Sequence, residues 1–292
     1  MSPTNTNNAI VTPEGYEIVY VEITPALAGQ LLDANTNNRA VRASNLQKIE
    51  SDMLSGRWVF NGDSIRIDSN GVIIDGQHRL LSIEKTGVTV SALLVTGLPP
   101  ETRATIDTNA VRTAGDELHM LGYTSANGLA ALAAAFIRRQ RGDLRAAVDP
   151  QNNKHRAMAV STSMILEAVR SNPEIQELNR TSSTRNYKVL SRTLSSTLYM
   201  EFCDLPDPNS QEDADFFFAR LRDGVGLDSG SPILKLRNAL DGMHGKKSSR
   251  PSSGYIAGLT IKAWNAFRQG ASIRQLTYRQ GGASPESFPT PV

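Results

Sequence analysis

A chain of 292 residues with 21% charged and 6% aromatic residues has ordinary soluble-globular composition and length for two modest domains, which excludes the disordered and fibrous classes. It has no apolar run of the roughly 18 residues that a spanning helix needs, so no membrane partner is expected. The net charge of +2 conceals blocks: 9 Lys/Arg against 14 Asp/Glu in residues 1–126, 11 against 5 in 127–200, 2 against 8 in 201–228, and 9 against 2 in 229–292. Basic blocks of this kind either track nucleic-acid phosphates or form a solvated face paired with the acidic block, and sequence alone leaves both readings open.

In chain order, the polar start MSPTNTNNAIVTPEG lacks a basic-then-apolar leader and reads as a frayed end. An extended segment is predicted from Ile18 to Ile23, and Thr24-Pro25 then supplies an N-cap and first helical position with Leu27, Leu31 and Leu32 on one face. After a loop-like stretch at 35–44, Ser44 and Gln47 match a capping box, Leu46, Ile49 and Met53 follow at helical spacing, and Gly56 ends the helix. Ile65 and Ile67, the turn Ser69-Asn70-Gly71 and the run Val72 to Ile74 predict a hairpin. A polar cluster, Asp75-Gly76-Gln77-His78-Arg79, comes next, then a short helix with Leu80, Leu81 and Ile83 closed by Gly87, and a strand over 88–95. Beyond Pro100 the pattern is helical, with candidates at 126–141, 161–171, 191–203, 211–223, 231–241 and 254–269, and loops at 143–155 and 242–254. The fold class expected is α+β: a flexible start at 1–15, a mixed α/β domain over 16–125, an all-α domain over 126–280 and a flexible tail at 281–292.

The cluster at 75–79 stands where a strand turns into a helix. A helix start leaves unpaired N–H groups and a partial positive charge. Gly76 permits a tight turn and close approach of a ligand to the backbone, Arg79 brings a forked permanent charge, and His78 brings a donor. Together they form an anion cradle suited to phosphate. Asp75 fits a Mg²⁺ ion beside that phosphate, or else caps the helix; alternatively Arg79 simply pairs with Asp75 or Glu84.

The stretch VIIDGQHRLLSIEKTG (72–87) resembles the signature of the ParB/sulfiredoxin superfamily, in particular its DGQHR-type members, many of them from phages and DNA-modification gene clusters. NLQKIESDMLSGRW upstream is similar to the helix before the superfamily's signature strand, and Asn109 and Arg112 in DTNAVRTAGDEL resemble an N-x-x-R motif that helps hold nucleotide phosphates and metal. The resemblance covers about residues 16–120 and implies a ParB/sulfiredoxin-like domain that binds a nucleoside triphosphate, CTP or ATP, with Mg²⁺. It also implies phosphate contacts from Gly76, Gln77, His78 and Arg79, metal positioning by Asp75 and Asn109, and charge neutralisation by Arg112, with Arg39 within reach of the nucleotide. NTP hydrolysis or phosphoryl transfer linked to phage DNA metabolism or modification is the activity expected. Gln77 stands where the superfamily places a Glu or Cys; it cannot act as the sulfiredoxin nucleophile and is a poor base, but can orient a water or hydroxyl. The alternatives are a non-enzymatic DNA-binding protein using the basic helical segments and, behind it, a nuclease, for which no two-metal carboxylate cluster is visible. Partners expected are nucleotide, DNA along those segments and a second copy of the chain.

Other residues carry less. Asp68 reads as a turn residue, and Asp107 as a base or metal ligand, or as a cap. His78, His119, His155 and His244 lack metal-ligand spacing, and the single Cys203 rules out an internal disulfide and suits a reducing cytoplasm. Trp58 and Trp264 sit in amphipathic patterns and read as core. GMHGKKSS (242–249) fails phosphate-loop spacing and follows no strand, though its lysines could meet a nucleic-acid backbone.

Overall fold

A computed structural model describes residues 9–34, 41–106, 112–150, 159–244 and 251–292. The chain divides into two compact units, Met1–Arg112 and Thr113–Val292. The first is mixed α/β and the second largely helical, as the pattern of periodicities predicts.

The first unit carries a five-stranded sheet of β1 (Ile10–Val11), β2 (Glu17–Ile23), β3 (Ser64–Asp68), β4 (Ile73–Asp75) and β5 (Val90–Leu98). Their spatial order is β1-β2-β5-β3-β4, and every pairing is antiparallel except β3 with β5. Three helices accompany it: α1 (Pro25–Asp33), α2 (Ala43–Leu54) and α3 (Gln77–Thr86). Ile23, Ile65, Ile67, Ile73, Leu80 and Ile83 are buried in one core, with Trp58 packed at its margin. Thr24 caps α1, its Oγ1 accepting from Leu27 N–H at 3.2 Å, with Pro25 at the first position as expected. The capping box predicted at Ser44 does not form. Helix α2 begins two residues earlier than that cap implies, at Ala43, behind Arg42 as N-cap, whose side chain makes no capping bond. The β3–β4 turn closes on Asp68, a buried turn residue whose Oδ1 accepts from Asn70 and Val72 N–H at 2.9 Å.

The second unit comprises, among its described residues, α4 (Ala114–Met120), α5 (Ala126–Gln140), α6 (Leu144–Val148), α7 (Thr162–Ser171), α8 (Pro173–Arg180), α9 (Arg192–Cys203), α10 (Ser210–Asp223), α11 (Pro232–Met243) and α12 (Ser253–Arg268). One apolar cluster joins α4, α5, α7 and α8. A second joins α9 to α12 around Trp264, whose ring stacks on Phe202 with centroids 4.2 Å apart. Trp264 is fully buried, as its amphipathic setting predicts. Residues 290–292, read from composition as part of a tail, hydrogen-bond to α12: Trp264 Nε1 donates to the Val292 carbonyl at 2.9 Å, and Asn265 Nδ2 to that of Thr290 at 2.8 Å. Among the described residues, no helix is long and apolar enough to cross a membrane.

The charge blocks meet inside this unit. Arg139 of α5 pairs with Glu201, at 2.6 Å, and with Asp204. Arg268 of α12 pairs with Asp207, at 2.7 Å, and with Asp213. Part of each basic block is thus neutralised by the acidic block between them.

Candidate functional site

The strand-to-helix turn is built around Gly76. It is the N-cap of α3 in left-handed conformation, φ +97°, and has no side chain to cap the helix. Asp75 therefore is not the N-cap; it precedes it, and its Oδ1 accepts from Gly76 N–H at 2.7 Å. A Cβ on residue 76 would lie 2.5 Å from Ile65 Cδ1. The glycine is thus required by backbone angle, as the tight turn expected from sequence demands, and also by packing against β3. The amides of Gln77 and Arg79 at the open helix start have no acceptor among the described residues.

Ser64 of β3, itself buried, anchors two arginines. Its carbonyl accepts from Arg79 Nη2 at 2.7 Å, and its Oγ from Arg66 Nε at 2.9 Å. Arg79 Nη2 also lies 3.3 Å from Asp75 Oδ2, so the internal ion pair anticipated as an alternative is formed. It engages one nitrogen only. Arg79 Nε and Nη1, and both terminal nitrogens of Arg66, have no hydrogen bond to the described residues. Arg66 faces Asp75 directly across the β3–β4 register, which turns both side chains to the same side of the sheet.

On that side lies a cavity of about 590 Å³. Gly76, Gln77, His78, Arg79 and Asp75 line it, so the turn read from sequence does border an open space. Lys48 from α2, Arg66 from β3 and Arg103 from the 3₁₀ turn Pro100–Thr105 complete a cationic wall, facing the carboxylates Asp63 and Asp75. Trp58 with Ile49, Ile74 and Ile106 forms an apolar wall. The Gln77 side chain makes no hydrogen bond to the described residues and borders the cavity.

His78 enters the turn as an acceptor at one ring nitrogen: its Nε2 accepts from the Arg42 backbone N–H at 3.1 Å, which leaves Nδ1 as the ring's donor. It ties the start of α3 to the start of α2. Arg112 is exposed and does not line the cavity; Arg39, Asp107 and Asn109 lie outside the described residues.

No group of three His, Cys, Asp or Glu able to hold a bare metal ion occurs among the described residues. Mg²⁺ bound together with a polyphosphate asks less, one or two carboxylates, and Asp63 and Asp75 fit that demand: Asp63 Oδ1 has no hydrogen bond to the described residues. Sequence reasoning missed Lys48, Arg66 and Arg103. The signal for Arg66 was present, since it alternates with Ile65 and Ile67 and so must face away from the core.

Compared with family models, curated proteins and solved structures, the chain has no match in any of the three.

Proposed function

We propose that the first unit binds a nucleoside triphosphate in this cavity, with Mg²⁺ carried by the phosphates. The observation behind the reading is the convergence of an uncapped helix start with Arg66 and Arg79 on Ser64, beside a cavity with an aromatic wall. Uncapped N–H groups and guanidinium forks suit phosphate oxygens, and the Trp58 face suits a base. The DGQHR string, by its resemblance to the ParB/sulfiredoxin superfamily, favours the same ligand and supports CTP or ATP. Gln77 orients the attacking water or hydroxyl, and Arg66 and Arg79 offset the charge that develops in the transition state, so the activity proposed is NTP hydrolysis or phosphoryl transfer. Asp75, already paired with Arg79, acts through the metal and the arginine rather than as a base.

Titration of the full chain with CTP and ATP, with and without Mg²⁺, tests this through tryptophan fluorescence. Trp264 is fully buried in the helical unit, so quenching by nucleotide must come from Trp58 and vanish in Trp58→Phe. Nucleotide that leaves fluorescence unchanged at millimolar concentration, and releases no phosphate over hours, would defeat the reading.

A further inference from the structure

We propose a second anion site, in the helical unit, that takes a small organic phosphate without a nucleobase. A pocket of about 440 Å³ lies between α4, α5, α8 and α9. Helix α5, 15 residues long, points its N-terminus into it. Its N-cap, Ser125, is left-handed at φ +50° and makes no side-chain capping bond. The N–H groups of Ala126, Asn127 and Gly128 have no acceptor among the described residues, the first bond being Leu129 N–H to the Ser125 carbonyl. Arg192 and Thr193, at the start of the 12-residue α9, border the same space.

The observation that points to a ligand is Ser182. It is 6% exposed, borders the pocket, and its Oγ has no hydrogen bond to the described residues. Its hydroxyl opens onto the pocket, where a ligand oxygen can take the place of water as its partner. Arg192 is exposed, its guanidinium has no ion pair or hydrogen bond to the described residues, and it supplies the permanent charge. The carboxylate there, Asp116, is turned to its own helix start, its Oδ2 accepting from Thr113 N–H at 2.8 Å and Oγ1 at 2.7 Å. Donors thus dominate the lining, which suits a group that only accepts, such as phosphate. The pocket is roomier than the phosphate alone needs, and Asn179 offers an amide to a polar remainder. The lining has no Phe, Tyr or Trp, and its one ring is the small imidazole of His119, so it offers a base far less surface to stack on than the indole of the Trp58 cavity.

The test is amide chemical-shift titration of the full-length protein with inorganic phosphate and with ribose 5-phosphate, at ionic strength held constant with chloride. Saturable shifts at Ala126, Asn127 and Gly128 are expected, with ribose 5-phosphate binding more tightly. Arg192→Ala should weaken both ligands about tenfold, the loss of one charge-assisted hydrogen bond, and Ser182→Ala should weaken them severalfold. Both variants should leave nucleotide quenching of Trp58 as in the wild type, which separates this site from the first. Absent or non-saturating shifts in the wild type, or equal affinity in wild type and Arg192→Ala, would overturn the proposal. So would a duplex DNA oligonucleotide that shifts these amides where both small phosphates fail.

Discussion

Arg79 and Asp75 form an i, i+4 ion pair, Nη2 to Oδ2 at 3.3 Å, at the edge of a cavity that both residues line. The pair holds one edge of the guanidinium and leaves the other toward the cavity. Asp75→Asn keeps an acceptor for Gly76 N–H while removing a negative charge beside the phosphates. It should tighten Mg²⁺-free nucleotide binding severalfold and remove any gain that Mg²⁺ provides. Arg79→Ala should lose at least tenfold in affinity, and about 1–3 kcal/mol of stability with its bond to the Ser64 carbonyl. Arg66→Ala is the cleaner probe, because Arg66 makes a single bond, to Ser64 Oγ; about tenfold weaker binding with an unchanged denaturation midpoint is expected. Calorimetric titration alongside urea unfolding reads both quantities.

Gly76→Ala should be among the most damaging single-methyl additions in the first unit. The new Cβ meets Ile65 Cδ1 at 2.5 Å and the backbone is held at φ +97°. A loss of about 2–4 kcal/mol follows from strain and overpacking together. Gly87→Ala isolates the backbone component, since φ is +74° and nothing lies within 4 Å; about 1 kcal/mol is expected there. Ile65→Val removes Cδ1, so it should rescue part of the Gly76→Ala loss and none of the Gly87→Ala loss. Thermal unfolding of the two double variants decides whether packing or backbone angle dominates.

Local chemistry made the turn legible. Gly76 and Gly87 flank α3 with positive φ, Thr24-Pro25 and Ser231-Pro232 cap their helices, and the run from Ile73 to Arg79 lies within one strand and one helical turn. What stayed hidden depends on pairing between distant segments. β3 runs parallel to β5, and Ser64 holds Arg79 fifteen residues downstream through a carbonyl, a group that no sequence pattern distinguishes. Lys48 and Arg103 reach the cavity from α2 and from the turn after β5. Helices α4, α6 and α8 escaped because they are short, seven, five and eight residues, too few for periodicity to speak. Their starts were nonetheless written in Thr113 with Asp116, in Asp143, and in Pro173.

Cys203 should resist alkylation in the folded protein. Burial, with the charges of Asp215 and Asp204 adding to it, pushes its thiol up to about 11 from an ordinary 9.0, while Tyr199 and Arg185 act in the opposite sense. The unfolded chain releases that proton first as pH rises. The group's contribution to stability is therefore complete below pH about 9 and is lost between about 9 and about 11. Iodoacetamide labelling at neutral pH should be slow in buffer and fast in denaturant. Cys203→Ala should flatten the alkaline fall in urea midpoint; an equal fall in the variant would mean that other groups govern it.

Truncation after Pro289 should weaken the helical unit. Trp264 is fully buried, and its indole N–H donates to the Val292 carbonyl at 2.9 Å, while Val292 N–H returns a bond to Asn265 Oδ1 at 3.1 Å. Removing that carbonyl orphans a donor in the core, a loss of about 1–3 kcal/mol. Lys262 and Glu286, paired at 2.8 Å, remain, so the preceding segment keeps an anchor on α12. A double-mutant cycle with Trp264→Phe separates the hydrogen bond from the contact area: phenylalanine has no N–H to orphan, so truncation should cost less in that background. Identical losses in both backgrounds would assign the effect to packing of the last residues over α12 instead of to the indole.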